Sequence, residues 1–105
     1  MRSAYVKADT GRWIEDGGLV LRLLPDDDDE LQHQRFVLRL SNGQTLLIAH
    51  NIAIAERIPL SLGDRVYFRG LYEWNDLGGL VHWTHRDPMD VDDGGWVRYR
   101  RKVYG

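Results

Sequence analysis

Four histidines and several carboxylates are the residues of this chain whose types could support metal binding or catalysis. His82 and His85 lie in and just after one predicted strand, and Asp87 follows two residues later. Imidazole and carboxylate groups serve as zinc ligands and as general acids and bases. If His50 joins these three residues and Glu73 acts as a base, the set would suit a metal-dependent hydrolase such as a nuclease.

The same histidines also have a purely structural interpretation. Alternation along a strand points His82 and His85 to opposite faces, and no helical histidine pair with metal-ligand spacing is present. His33, Asn51 and Glu73 form a further polar cluster near predicted strand ends, where such groups hydrogen-bond to loop backbone. We therefore expect no cofactor, with a divalent cation as the alternative if the histidines converge.

Five consecutive acidic residues at positions 26–30 could attract calcium or magnesium. A calcium loop alternates its ligands and places a glycine at the turn, and this run has neither feature. The run therefore predicts a solvated connector between two strands.

A second set of residues has the chemistry of a nucleic-acid surface. Arg22, Arg39 and Arg69 fall on the polar faces of three predicted strands, Tyr67 shares the face of Arg69, and Trp83 lies on a neighbouring strand. The planar guanidinium group binds phosphates in a bidentate manner and stacks on rings. Aromatic platforms combined with cations are typical of barrels that bind single strands. These five residues are the predicted ligand-binding platform.

Composition limits the classes of function that this chain can have. Its 105 residues suit one domain, and the absence of cysteine excludes disulfides and thiolate metal sites. Fourteen basic and sixteen acidic side chains give a net charge of −2, which argues against a tight non-specific polyanion binder. Phosphate-binding glycine loops and a nucleophile elbow are both missing, so an NTPase and a serine hydrolase are not expected. No apolar run reaches membrane-spanning length.

The hydropathy pattern has a period of two, which is typical of β-strands. Strands are predicted at 17–24, 35–40, 45–50, 65–74 and 80–85, with Pro25 closing the first, an Asn-Gly hairpin turn at 41–44 and a short helix at 51–59. Gly70 is expected to mark a bulge or a bend. The predicted core is Leu19, Leu21, Leu23, Phe36, Leu38, Leu40, Leu46, Ile48, Val66 and Phe68.

This order of elements predicts an all-β fold, a small five-stranded OB-like barrel with one short helix between strands 3 and 4. The barrel would span residues 17–88, after a lead-in segment at 1–16. Residues 89–105 would form a C-terminal extension that packs on the barrel. Within it, residues 96–104 predict an extra edge strand, with Val97, Tyr99 and Val103 packing inward, and the alternative is a cationic arm.

Several motifs of the chain, taken together, resemble the bacterial DUF3465 family of small proteins, over about residues 17–104. They are His33-Gln34-Arg35-Phe36, the segment 44–52, Tyr72-Glu73-Trp74-Asn75, Gly79, the segment 82–88 and Gly94-Gly95-Trp96. The resemblance implies no particular activity. Family members often carry a secretory leader, which implies an envelope or extracellular setting. The N-terminal segment of this chain has no signal-peptide pattern and predicts a cytoplasmic location, unless a leader has been removed.

These observations favour a non-catalytic OB-fold module that binds single-stranded nucleic acid or another extended polyanion, with no membrane partner. The basic C-terminal segment and Arg22 would flank its platform. Two alternatives remain open from the residues alone. One is the metal-dependent hydrolase described above, and the other is a protein-interaction or structural module that uses an exposed strand edge.

Overall fold

Seven β-strands make up nearly all of the regular structure in the computed structural model, which describes residues 5–27, 33–53, 55–85 and 94–105. A single 3₁₀ turn, Lys7–Asp9, precedes them. The strands are β1 (Trp13–Asp27), β2 (His33–Leu40), β3 (Thr45–Asn51), β4 (Arg65–Glu73), β5 (Leu80–His82), β6 (Trp96–Tyr99) and β7 (Lys102–Tyr104).

Five of these strands close into a barrel in the order β1-β2-β3-β5-β4, with β4 returning to pair with β1. The β3–β5 pairing is parallel and the others are antiparallel. Closure removes the exposed edges that a small open sheet would present. The predicted all-β fold with a small five-stranded barrel is therefore confirmed.

The core occupies the inside of this barrel. It consists of Ile14, Val20, Phe36, Leu38, Leu40, Leu46, Ile48, Ile58, Val66, Phe68, Tyr72, Val81, Val97, Tyr99 and Tyr104. Seven of the ten predicted core residues are among them, all from β2, β3 and β4. Alternation places these seven on one face of their strands, and that face is the inner one.

The core prediction is wrong for the three other residues, Leu19, Leu21 and Leu23, because 42%, 46% and 46% of their surfaces are exposed. Val20 points inward instead, opposite Leu38. The pairing of β1 with β2 shifts between Val20 and Arg22, which leaves Leu21 in a bulge. Beyond the bulge β1 pairs only with β2, so Leu23 has no strand on its other side to cover it.

Pro25 does not end the first strand, which continues to Asp27. The pairing with β2 becomes irregular between Leu24 and Asp27, and a bulge is where a strand accepts proline. The Arg35 side chain donates two hydrogen bonds to the Pro25 carbonyl, of 3.1 and 2.9 Å. The rest of the predicted acidic connector, residues 28–30, lies outside the described residues.

No helix forms in the described part of segment 51–59, so the predicted helix is wrong. Side chains satisfy the backbone of this segment instead. The Gln34 amide donates to the Ile58 carbonyl at 2.7 Å and accepts from the Ile58 N–H at 2.8 Å. The Asn51 side chain accepts from the Ala53 N–H at 2.9 Å. A helix of barely two turns is too weak to compete with these buried contacts.

Gly70 marks neither a bulge nor a bend, because the ladder of β4 is regular on both sides of it. Its role is close approach, since a Cβ here would lie 2.6 Å from a Val81 methyl and 2.7 Å from the His82 carbonyl oxygen. The predicted tight turn between β2 and β3 is confirmed. Gly43 adopts a φ of 89°, and its N–H bonds to the Leu40 carbonyl at 2.9 Å.

The C-terminal segment forms a hairpin, β6–β7, that extends the barrel sheet. β6 pairs with residues 67–69 of β4, beside the stretch that pairs with β5. Val97 and Tyr99 pack inward as predicted, but Val103 is exposed and Tyr104 is buried in its place. The turn at residues 100–101 interrupts the single strand predicted over 96–104. Tyr104 then lies opposite Val97 and faces the core, whereas Val103 does not. Within the described ranges, no helix has the length and apolar character needed to cross a membrane.

Candidate functional site

The outer face of β1, β4 and β6 brings arginines together around one tyrosine. In-register residues of neighbouring strands share a face. Tyr67 on β4 lies between Gly17 on β1 and Arg98 on β6. Arg65, two residues before Tyr67 on β4, lies opposite Leu19 on β1. Leu19 in turn lies opposite Arg39 on β2. Arg39 and Arg65 are thus two strand spacings apart, about 10 Å.

Two adjoining concavities lie on this face, and both are lined by Arg65, Tyr67 and Arg98. We call them together the arginine groove. The first, of about 620 Å³, is also lined by Asp64, Tyr99, Arg100 and Arg101. The second, of about 460 Å³, is also lined by Glu15, Asp16, Gly17, Ser41 and Trp96. The groove therefore runs from the tip of the β6–β7 hairpin across β4 to β1.

Tyr67 is the aromatic centre of the groove, with 40% of its surface exposed. Its ring leans over β1, where Gly17 leaves space for it. A Cβ at Gly17 would lie 2.6 and 2.9 Å from two carbons of the ring. From the other side, the Arg98 guanidinium carbon lies 5.0 Å from the ring centroid, which is within cation–π range.

Among the described residues that line the first concavity, Asp64 is the one carboxylate. The Tyr99 hydroxyl donates to it at 2.6 Å, and the Ser61 N–H donates at 2.8 Å to the same oxygen. The hydrogen bond from Tyr99 holds the pKa of Asp64 below its usual value. The same bond raises the pKa of Tyr99. Asp64 therefore joins the start of β4 to β6, and the four arginines with this one carboxylate give the concavity an excess of three positive charges.

The predicted platform is only partly assembled. Of its five residues, Tyr67 lines the groove and Arg39 neighbours it across Leu19. Arg22 lies apart, on a third concavity of about 350 Å³ with a mainly apolar lining. The Arg69 guanidinium lies 4.4 Å from the Trp13 ring centroid and donates to the Gly94 carbonyl, so its contacts are internal.

Trp83, the fifth predicted residue, follows β5 and lines neither concavity of the groove. Its ring lies against that of His85, with centroids 5.1 Å apart. Its φ of 57° is in the left-handed region, which is uncommon for a residue with a side chain.

Arg65 is a groove residue that the sequence-based prediction missed. It stands two residues before Tyr67 on β4, so alternation alone places both on the outer face. Arg98, Arg100 and Arg101 were predicted only as flanking cations. Their position beside Tyr67 depends on the pairing of β6 with β4, which has no local signal.

His50, a candidate metal ligand, is buried and both of its ring nitrogens are engaged. Nδ1 lies 2.8 Å from the Thr84 hydroxyl, and Nε2 lies 3.1 Å from the Glu56 carbonyl oxygen. A carbonyl only accepts, so Nε2 carries the proton and Nδ1 accepts from Thr84. Burial lowers the pKa of His50 to about 4. A neutral ring in these contacts has no free lone pair for a metal.

Among the described polar candidates, Glu73 lies against His82. His82 Nε2 lies 3.5 Å from a Glu73 carboxylate oxygen, and burial lowers the pKa of His82 despite that carboxylate. His33 pairs across the ladder with the buried Asn51. Among the described residues, no three histidine or carboxylate side chains are grouped so that they could hold a metal. Asp87 lies outside the described residues.

Comparison with known proteins places the chain in a family. No curated protein and no solved structure matches it significantly. The model of DUF3465, described as a protein of unknown function, matches residues 1–105, which is the whole chain. The motifs around His33, Glu73 and His82 had already indicated this family. The chain is therefore a member of the DUF3465 family, and its fold is a small closed β-barrel extended by a C-terminal hairpin.

Proposed function

We propose that this barrel is an OB-type, non-catalytic module that binds single-stranded nucleic acid in the arginine groove. The observation that carries the proposal is the exposed Tyr67 ring, surrounded by Arg65, Arg98, Arg100 and Arg101 in one continuous concave surface. Guanidinium groups form forked hydrogen bonds with phosphates, and bases stack on aromatic side chains. The strand order β1-β2-β3-β5-β4 with a closing β1–β4 pair supports the OB assignment.

The charge distribution favours direct contacts with a polyanion in the groove over long-range electrostatic attraction. The chain as a whole carries a net charge of −2, so attraction of a polyanion from a distance is weak. Within the first concavity four arginines face one carboxylate that is already hydrogen-bonded. We therefore expect a module of modest affinity whose binding depends on salt.

The internal contacts of the histidines favour a binding module over the hydrolase alternative. His50 uses both ring nitrogens within the barrel, and His82 pairs with Glu73 on its surface. The charged groups of the first concavity are four arginines and one carboxylate, and arginines hold phosphates in place. General acid–base catalysis would need a positioned group that exchanges a proton near neutral pH.

Neutralising two groove arginines is expected to weaken binding of a fluorescent oligothymidylate by about tenfold or more in anisotropy titrations at low salt. Arg65→Gln combined with Arg98→Gln removes the two cations shared by both concavities. For the wild type, about three phosphate contacts predict a loss of roughly twentyfold in affinity between 50 and 200 mM salt.

Arg12→Gln is the matched control for this experiment. Arg12 is exposed, makes one long ion pair of 3.9 Å with Asp9, and lies beside Trp13. Trp13 pairs with Leu71, six residues along β4 from Arg65, about 20 Å away. If no binding occurs at low salt, or if Arg12→Gln weakens it as much as the groove variant does, the proposed function is wrong.

Gly17→Val is expected to weaken oligonucleotide binding about fivefold to tenfold although it removes no charge, since stacking contributes roughly 1–3 kcal/mol per base. The new side chain would occupy the space of the Tyr67 ring and turn it off the sheet. Tyr67→Leu should match this loss, and near-ultraviolet circular dichroism reports the ring displacement. A Gly17→Val protein with a displaced ring and full affinity would contradict a stacking role for Tyr67.

A further inference from the structure

The tip of the β6–β7 hairpin has a backbone conformation that its side chains disfavour. The hairpin loop consists of Arg100 and Arg101, since Tyr99 pairs directly with Lys102. Their φ angles are 51° and 69°, both in the left-handed region. A two-residue loop with positive φ at both positions favours Asn-Gly, because residues with a Cβ enter this region at a cost. Two arginines stand there against the local preference of the backbone.

Both arginines line the first concavity of the arginine groove, together with Arg65 and Arg98. The Arg100 guanidinium carbon lies 5.2 Å from the centroid of the Tyr99 ring, which holds it toward the hairpin. Tyr99 in turn donates a hydrogen bond to Asp64, the carboxylate beside the arginines, which keeps its negative charge. The concavity is therefore lined by four cations and one hydrogen-bonded carboxylate.

Lys102, the remaining cation of the hairpin, is directed elsewhere. Its Nζ forms an ion pair with a Glu56 carboxylate oxygen at 2.7 Å and lies 4.9 Å from the Tyr104 ring centroid. It does not line the pocket. The positive charge of the pocket thus comes from guanidinium groups, the side chains that match the oxygens of a phosphate in a forked geometry.

From these observations we propose that the first concavity binds the terminal phosphate of a single strand, so that the module recognises phosphorylated ends. This inference rests on the proposed function. A phosphodiester inside a strand carries one negative charge, whereas a phosphate monoester carries close to two and offers three strong acceptor oxygens. Four clustered arginines fit the concentrated charge of the monoester. The adjacent base then stacks on Tyr67, and the strand continues into the second concavity.

The test compares three oligothymidylates of equal length, carrying a 5′-phosphate, a 3′-phosphate or hydroxyls at both ends, in anisotropy titrations at one salt concentration. A preference of at least tenfold for one phosphorylated end over the hydroxyl form supports the inference, and the preferred end gives the strand polarity. Equal affinity for all three overturns the inference and leaves the proposed function standing. No binding of any of them overturns both.

Arg100→Asn combined with Arg101→Gly tests the same inference from the side of the protein. Asn-Gly suits the turn, so the thermal midpoint should rise or stay constant while the preference for the phosphorylated end falls to within twofold. Lys102→Gln is the control, because it removes a hairpin cation outside the pocket and should keep the preference. If the Asn-Gly variant is folded and still prefers the phosphorylated end tenfold, the assignment of the pocket is wrong.

Discussion

Gly95→Ala is expected to destabilise the protein by about 3 kcal/mol or more, measured as the free energy of unfolding in urea. A Cβ at this position would overlap the carbonyl oxygens of Trp83 and Arg69 and would lie 3.0 Å from the Thr84 Cα. These neighbours are backbone atoms of the barrel, so no change of side-chain rotamer relieves the overlap. Gly95 also donates its N–H to the His85 carbonyl at 2.7 Å and leads directly into β6.

Gly43→Ala is the control, because Gly43 has a positive φ but no atoms close to the position of an added Cβ. Gly43 has a φ of 89°, and nothing lies within 4 Å of its would-be Cβ. Alanine there should cost only about 1 kcal/mol. If Gly95→Ala lowers the free energy of unfolding no more than Gly43→Ala does, the start of β6 does not pack closely against the Trp83–Thr84 backbone. The placement of the hairpin arginines beside Tyr67 would then also lose its support.

Acidification from pH 7.5 to pH 5 is expected to lower the free energy of unfolding by about 2 kcal/mol through His50. Burial lowers the pKa of His50 to about 4 in the folded protein, against 6.5 for an ordinary histidine. Between these two values the unfolded chain binds a proton that the folded chain does not. The stability contributed by neutral His50 is therefore complete above about pH 6.5 and is lost as the pH falls toward 4.

His50→Gln should remove most of this pH dependence, because glutamine has a donor and an acceptor for Glu56 and Thr84 but does not titrate. The pKa of His82 is also lowered, so His82→Gln should remove a further part of the slope in the same direction. Asp64, with its lowered pKa, acts only at more acidic pH. Urea titrations of both variants at pH 7.5, 6 and 5 make the comparison. A His50→Gln protein that keeps the full slope would show that His50 is not the group responsible.

Local sequence pattern was sufficient for most of the barrel. In β2 the large apolar residues alternate with arginines and a valine, and in β3 and β4 buried and less buried residues alternate along the strand, so each inner face follows from a period of two. The first strand lacks this contrast, because the run from Leu19 to Leu24 is apolar on both faces except at Arg22. Only pairing with β2 and β4 decided that Val20 faces inward.

From the sequence, individual residues of the candidate site could be predicted, but not which of them come together. Tyr67 and the basic character of the C-terminal segment were visible in the sequence, and alternation on β4 could also have indicated Arg65. From the sequence, Arg69 and Trp83 were as suitable for ligand binding as Tyr67. The contacts of Arg69 with Trp13 and Gly94 join segments far apart in the chain, and the contact of Trp83 with His85 depends on the left-handed backbone at Trp83.

By itself, the sequence determined the β-class, the positions of most strands, the tight turn at Gly43 and the family, because these depend on local pattern and motif. Tertiary structure alone decided where the arginines meet. β5 has only three residues and pairs with β4 at 71–73, so the edge of β4 at 67–69 is left for β6. That pairing joins residues about thirty positions apart, and it depends on which strand edge remains open after the barrel has closed.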